Sequence, residues 1–168
     1  MHRRHPYLIA ASGIADAQIM PKNQIKGGAV GAKIVYGMEG SFMVATREGG
    51  YHSAPHRHDC EQMNYVEQGA IWIFFEHGGF LASQGDFFRI PRNVVHWSWI
   101  VEGAPCTLIE SHVPPLTGDA SNAASAVGLF DDSEDTSGVK HIATTFVTVD
   151  SAGEIEERTM REWRLAAE

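Results

Sequence analysis

Between residues 62 and 113 the chain is a series of short apolar runs, none longer than eight residues. "AIWIFFE" (70–76), "FLAS" (80–83), "DFFRI" (86–90), "VVHWSWIV" (94–101) and "CTLIESHV" (106–113) follow the run at 62–66, with Gly69, Gly78, Gly79, Gly85 and Gly103 punctuating them. Runs of this length bounded by turn residues read as strands rather than helices. Upstream, "AKIVYGMEGSFMVATR" (32–47) repeats the pattern as two β-rich runs split by "GMEG", whose glycines accept positive φ and so close a hairpin. Many short strands at regular spacing predict an all-β sandwich or barrel.

A chain of 168 residues suits a single domain, 1–168, and a hydrophobic fraction of 43% is enough to bury a core of ordinary size. The core of the barrel is expected at about 32–113. Residues 117–138, "TGDASNAASAVGLFDDSEDTSG", are small, polar and acidic and read as a flexible loop. "VKHIATTFVTVD" (139–150) is expected to be a further strand. The tail "EIEERTMREWRLAAE" (154–168) reads as a short helix or a mixed tail, because Ile155, Met160, Trp163 and Leu165 fit neither period well.

Charge narrows the partners. Thirteen Lys and Arg against 21 Asp and Glu give a formal net charge of −8, so no basic stripe is available to neutralise nucleic-acid phosphates or anionic lipid. Two cysteines, Cys60 and Cys106, are too few for a disulfide framework. The apolar stretch behind Arg3 and Arg4 is shorter than the roughly 7–15 residues of a signal peptide, and no run approaches a membrane span. A soluble, cytoplasmic protein acting on a small molecule is the expectation.

Alternation places the side chains. In 94–101, His96, Ser98 and Ile100 share one face and Trp97 and Trp99 the other. In 70–76, Ile71, Ile73 and Phe75 oppose Trp72 and Phe74. If His96 points into the barrel, the aromatic rings point out of it. Such a surface needs a cover: a second layer, a terminal segment or another subunit, and a homodimer is expected.

His56 and His58, two apart in an extended segment, share a face and can converge on one point inside a barrel, with His96 as a third donor. Histidine-rich sets suit divalent first-row transition metals rather than calcium or magnesium.

Spacing then ties both segments to a known family. Gly50, His56, His58, Gln62 and Gly69 follow the first motif of the cupin superfamily, and Gly85, Pro91, Asn93, His96 and Ile100 follow the second, so residues 50–100 resemble a cupin. The resemblance implies a single cupin (double-stranded β-helix, or jelly-roll) barrel with extra terminal strands. It also implies one metal per subunit, held by His56, His58, Gln62 and His96, with Fe(II) favoured and Mn, Ni, Zn or Co as alternatives.

Three positions depart from the family pattern. Gln62 stands where a glutamate is usual, Asn93 replaces a glycine, and Ile100 replaces an asparagine. Glu61 is adjacent to Gln62, but neighbours in a strand face opposite ways, so Gln62 takes the ligand position. A neutral amide leaves the full dication charge on the metal and favours an anionic oxygen ligand. The "HRHDCEQ" run resembles that of cupins that open unsaturated uronate rings.

Glu110 and Tyr65 are the candidate catalytic groups, although an outward, solvated Glu110 is the commoner arrangement. Asn64, Phe75 and Phe88 are candidate substrate contacts, and Arg89 a further polar candidate. Cys60 reads as a small core residue. Of His52, His77, His112 and His141, only His112 ends a barrel strand. The expected activity is dioxygenase-type carbon–carbon cleavage of a keto, enol or hydroxy-carbonyl substrate. The alternatives are Lewis-acid isomerase, lyase or cyclase chemistry without O2, and a non-enzymatic binding or sensing barrel.

Overall fold

A computed structural model describes residues 7–17, 19, 25–101, 103–116, 123–125 and 149–167. Twelve strands are described: β1 (Ile25–Lys26), β2 (Val30–Tyr36), β3 (Ser41–Arg47), β4 (His52–Ser53), β5 (His56–His58), β6 (Glu61–Gln68), β7 (Ala70–Phe75), β8 (Gly78–Ser83), β9 (Phe87–Ile90), β10 (His96–Trp99), β11 (Cys106–Val113) and β12 (Ala123–Ser125). One helix, α1 (Val149–Ala166), follows. The strands form two antiparallel sheets. One has five strands in the order β2-β3-β11-β6-β9; the other contains β1, β4, β10, β5 and β12, with β7 and β8 continuing from β10. This is the all-β jelly-roll expected from the glycine-punctuated runs.

Turn chemistry explains why the strands end where they do. The "GMEG" hairpin joins β2 to β3, with the Gly37 amide donating to the Gly40 carbonyl at 2.8 Å. Gly69 turns β6 into β7 at φ 80°, and a Cβ there would lie 2.4 Å from the Pro105 carbonyl oxygen. Asn93, which replaces the motif glycine, takes φ 62°. Asparagine tolerates this left-handed region better than most residues, so the substitution keeps the turn that delivers His96.

Inward residues of both sheets meet in a core of Tyr51, Val66, Ile71, Ile73, Ile100 and Leu108, with Phe75 and Phe88 packed against it. Ile100 is thus a core residue. On the other face of the sheet, Trp72, Phe74 and Trp97 pack beneath Ala152 and Ile155 of α1. The cover for the aromatic face is therefore a terminal segment of the same chain.

The strand expected at 139–150 is corrected at its end: Val149 and Asp150 open α1, and 139–148 lie outside the described residues. Of the two alternatives for the tail, the helix is the one observed, and it is longer than expected. Its buried positions are Ala152, Ile155, Glu156 and Thr159, a helical i, i+3, i+4, i+7 stripe. Of the loop expected at 117–138, the structure describes only β12, which pairs with β5. No helix among the described residues is long and apolar enough to cross a membrane.

Candidate metal centre

His56 and His58 lie on β5, and His96 lies opposite His56 on the paired strand β10. Ring centroids are 4.4 Å apart for His56 and His96, 4.8 Å for His58 and His96 and 6.1 Å for His56 and His58. One ring nitrogen from each lies within 4.8 Å of those of the others. In each ring Nδ1 meets a backbone carbonyl: Ala54 at 2.8 Å for His56, Cys60 at 3.1 Å for His58 and Val94 at 2.9 Å for His96. A carbonyl only accepts, so Nδ1 carries the proton and Nε2 keeps its lone pair, the tautomer a metal requires.

Burial drives all three imidazoles towards the neutral form. It lowers His56 to about 4, lowers His58, and takes His96 well below the usual histidine range.

Gln62 lies beside the three histidines as a candidate fourth donor, and its orientation is fixed by what surrounds it. Its Nε2 donates to Asn64 Oδ1 at 2.7 Å and to Glu110 Oε2 at 2.8 Å. Both amide hydrogens are thereby used, so Oε1 faces His58 Nε2, 2.9 Å away. With His58 protonated at Nδ1, this is a lone pair facing a lone pair. A cation between them relieves that contact, and two cis ligands each about 2.0–2.2 Å from a metal lie roughly 3 Å apart. The residues present therefore fit a divalent metal held by His56, His58, His96 and Gln62.

Glu61 faces away from this centre and pairs with Arg89 on the surface. Of the two neighbours it is Gln62 that faces the histidines.

The same cavity holds a second polar set. Glu110, 1% exposed, accepts from Arg47 Nη2 at 2.8 Å, while its other oxygen receives Gln62 and lies 3.6 Å from His112 Nε2. The outward, solvated arrangement is corrected: β11 turns Cys106, Leu108, Glu110 and His112 inward. His112 is 1% exposed, its ring 6.0 Å from that of His58, and burial lowers it to about 4. Its Nδ1 has no partner among the described residues, and neither do Nε and Nη1 of Arg47. Each unmet buried donor or acceptor costs about 1–3 kcal/mol. Three around one cavity are a concentrated cost in an otherwise well-satisfied barrel.

Other sequence candidates fall elsewhere. Tyr65 is corrected: it points out of the five-stranded sheet and packs on Phe87, with ring centroids 4.7 Å apart. Asn64 is inward and buried, yet it holds Gln62 rather than lining the cavity. Phe75 packs on Phe80 at 6.0 Å, outside the cavity wall, whereas Phe88 lines it. Cys60 is a buried core residue whose thiol is pushed up to about 12 by burial, so it is no nucleophile. His52 bonds Glu156 under α1, His77 is exposed, and His141 lies outside the described residues. Sequence reasoning passed over Arg47 entirely and set His112 aside; the alternation of β3 and β11 was the only signal for either.

Comparison with known proteins gives the same architecture. The sequence profile of the family described as Cupin domain matches residues 42–112. No curated protein sequence matches the chain significantly. Among solved structures, the polyketide cyclase RemF from Streptomyces resistomycificus superposes with a TM-score of 0.54 at 15% identity, over 67% of this chain and 80% of that one. A cupin-like protein from Thermotoga maritima gives 0.51 at 20% identity over 56% and 75% of the two chains, and KdgF from Halomonas sp. gives 0.50 at 21% over 62% and 92%. Both motifs, both sheets and the inward histidines agree with these matches, and residues 42–112 carry a cupin domain.

Proposed function

We propose that the chain is a metal-dependent enzyme acting on a small oxygenated carbonyl substrate, and that the step it catalyses is a proton transfer of the isomerase, lyase or cyclase kind. The observation that carries this reading is the Glu110–His112 pair beside the three-histidine cluster: an ion-paired carboxylate 3.6 Å from a buried imidazole whose other nitrogen is unpartnered. A divalent metal at His56, His58, His96 and Gln62 would supply Lewis acidity, polarising a substrate carbonyl and acidifying the C–H next to it.

The chain's own residues do the rest. Glu110 keeps the Nε2–H of His112 turned towards itself, which leaves Nδ1 as the base that takes the proton. Arg47 pairs with Glu110 at 2.8 Å and fixes it beside His112, where the carboxylate can stabilise the imidazolium that forms. Ile73, Phe88, Ile90 and Leu108 on the cavity wall exclude water from the reacting carbon. A polyketide cyclase among the structural neighbours is consistent with non-oxidative carbonyl chemistry, though at 15% identity it speaks to fold alone.

The second reading is the dioxygenase-type cleavage expected from the sequence, at an iron centre. The all-neutral donor set and the apolar cavity wall favour it. One experiment separates the two: incubate metal-loaded protein with a panel of enolisable keto and hydroxy acids in D2O, under air and under argon, following deuterium wash-in by NMR and O2 with an electrode. Wash-in that is equal in both atmospheres, and lost in His112→Asn, supports proton transfer. Turnover that stops under argon while O2 is consumed in air transfers the assignment to the dioxygenase.

A further inference from the structure

Arg47 ends β3, on the inward-facing alternation of Ser41, Met43 and Ala45. Its side chain is 7% exposed and lines the same cavity as the histidine cluster. Glu110 takes only Nη2; Nε and Nη1 meet no acceptor among the described residues. The guanidinium carbon lies 5.5 Å from the centre of the Tyr51 ring, which backs it on one side. A buried guanidinium ordinarily has its donors matched by acceptors, and here two of its nitrogens have none among the described residues.

Nε and Nη1 share no edge of the planar guanidinium, but each shares one with Nη2; Glu110 Oε1 takes a single Nη2 hydrogen, so one two-donor fork of the kind that fits a carboxylate stays open. The histidines and Gln62 are neutral, and the charge of Glu110 is offset by Arg47, with its two oxygens turned to Arg47 and Gln62. The cavity, of about 70 Å³, holds about two waters at the roughly 30 Å³ each takes in the liquid, which is room for the carboxylate end of a small acid.

We infer that Arg47 is the anchor for a carboxylate of the substrate, and that the substrate is a small carboxylic acid whose second oxygen function reaches the histidine cluster. The inference rests on the reading of the barrel as an enzyme site and narrows its substrate class. It also gives the unmet donors of a costly buried cation a partner that arrives only with the ligand.

The test is calorimetric titration of the full-length protein, metal-loaded and after chelation, with malonate and with its neutral counterpart malonamide. Wild-type protein should bind malonate at least about tenfold more tightly than malonamide in both states. Arg47→Lys keeps the charge but loses the fork, and should weaken malonate about tenfold. The paired change Arg47→Met with Glu110→Gln removes both buried charges together and should abolish malonate binding by chelated protein. Equal affinity for malonate and malonamide in the wild type overturns the assignment without any variant, and so does unchanged malonate binding in Arg47→Lys. Metal content measured on the same samples keeps the two readings apart. Protein that takes up no metal yet prefers malonate through Arg47 refutes the metal centre and supports the carboxylate site; fully loaded protein with no such preference does the reverse.

Discussion

Gln62 joins the two polar sets of the cavity, since its oxygen faces the histidines and its nitrogen holds Glu110 and Asn64. Replacing it with alanine removes a ligand and leaves a Glu110 oxygen short of a donor. Metal affinity should fall by at least the roughly 10–100-fold seen when outer partners of ligands are lost, as read by competition with a chelating dye; an unchanged affinity would remove Gln62 from the site. The buried imidazole of His112 sets a second expectation, for chelated protein. Its value is lowered from 6.5 to about 4 by burial, so the unfolded chain takes up that proton first as pH falls. Stability tied to the neutral form is therefore complete above about pH 6.5 and lost progressively down to about pH 4, by about 3 kcal/mol for this group alone. Urea denaturation between pH 7 and pH 4 should show the decline, to which His56, His58 and His96 add in the same direction, and His112→Asn should make it shallower by this group's share. Gln62 was legible because strand parity excluded Glu61. His112 and Arg47 were not, because β11 is ambiguous: its outward set, Thr107, Ile109, Ser111 and Val113, is as apolar as its inward set, Cys106, Leu108, Glu110 and His112.

At the scale of elements, α1 takes the place foreseen for a cover over the aromatic face of β7 and β10. Its identity as a helix was left open because two of its four buried positions are Glu156 and Thr159, which blur the apolar period that announces a helix. Glu156 is buried for a reason: its Oε1 accepts from Trp97 Nε1 at 2.7 Å and meets His52 Nε2 at 2.7 Å. The outward tryptophan of the ligand strand is thus tied to the helix on the face opposite His96. Glu156→Ala strands the indole N–H and should destabilise the fold by about 1–3 kcal/mol in denaturant titration. Metal content should stay at the wild-type level, because the ligands lie on the other side of β10; a parallel loss of metal would mean that α1 sets the ligand geometry. The strands themselves were legible almost run for run, since glycine turns and β-rich segments act locally, whereas helix docking depends on contacts far apart in sequence.

For the molecule as a whole, covering the aromatic face from within removes the reason that first called for a partner. A homodimer, if it forms, has another apolar surface available: Phe42, Val44, Met63 and Phe87 are exposed on the outside of the five-stranded sheet. Sedimentation at micromolar concentration decides the matter, and Phe42→Lys with Val44→Lys should leave a monomer with its metal site intact. The candidate centre bears on stability more directly. His56, His58 and His96 belong to one sheet and Gln62 to the other, so a bound ion ties the two sheets together across the cavity. Because that geometry is absent from the unfolded chain, binding free energy becomes folding free energy. At a free-metal concentration one hundred times the dissociation constant the gain is about 2.7 kcal/mol, visible as a rise in Tm that chelation reverses. In Gln62→Ala the three histidines still bind from a single sheet, but more weakly and without the cross-link. The rise in Tm at the same free-metal concentration should then shrink, and a full wild-type rise in that variant would show that the ion does not bridge the sheets through Gln62.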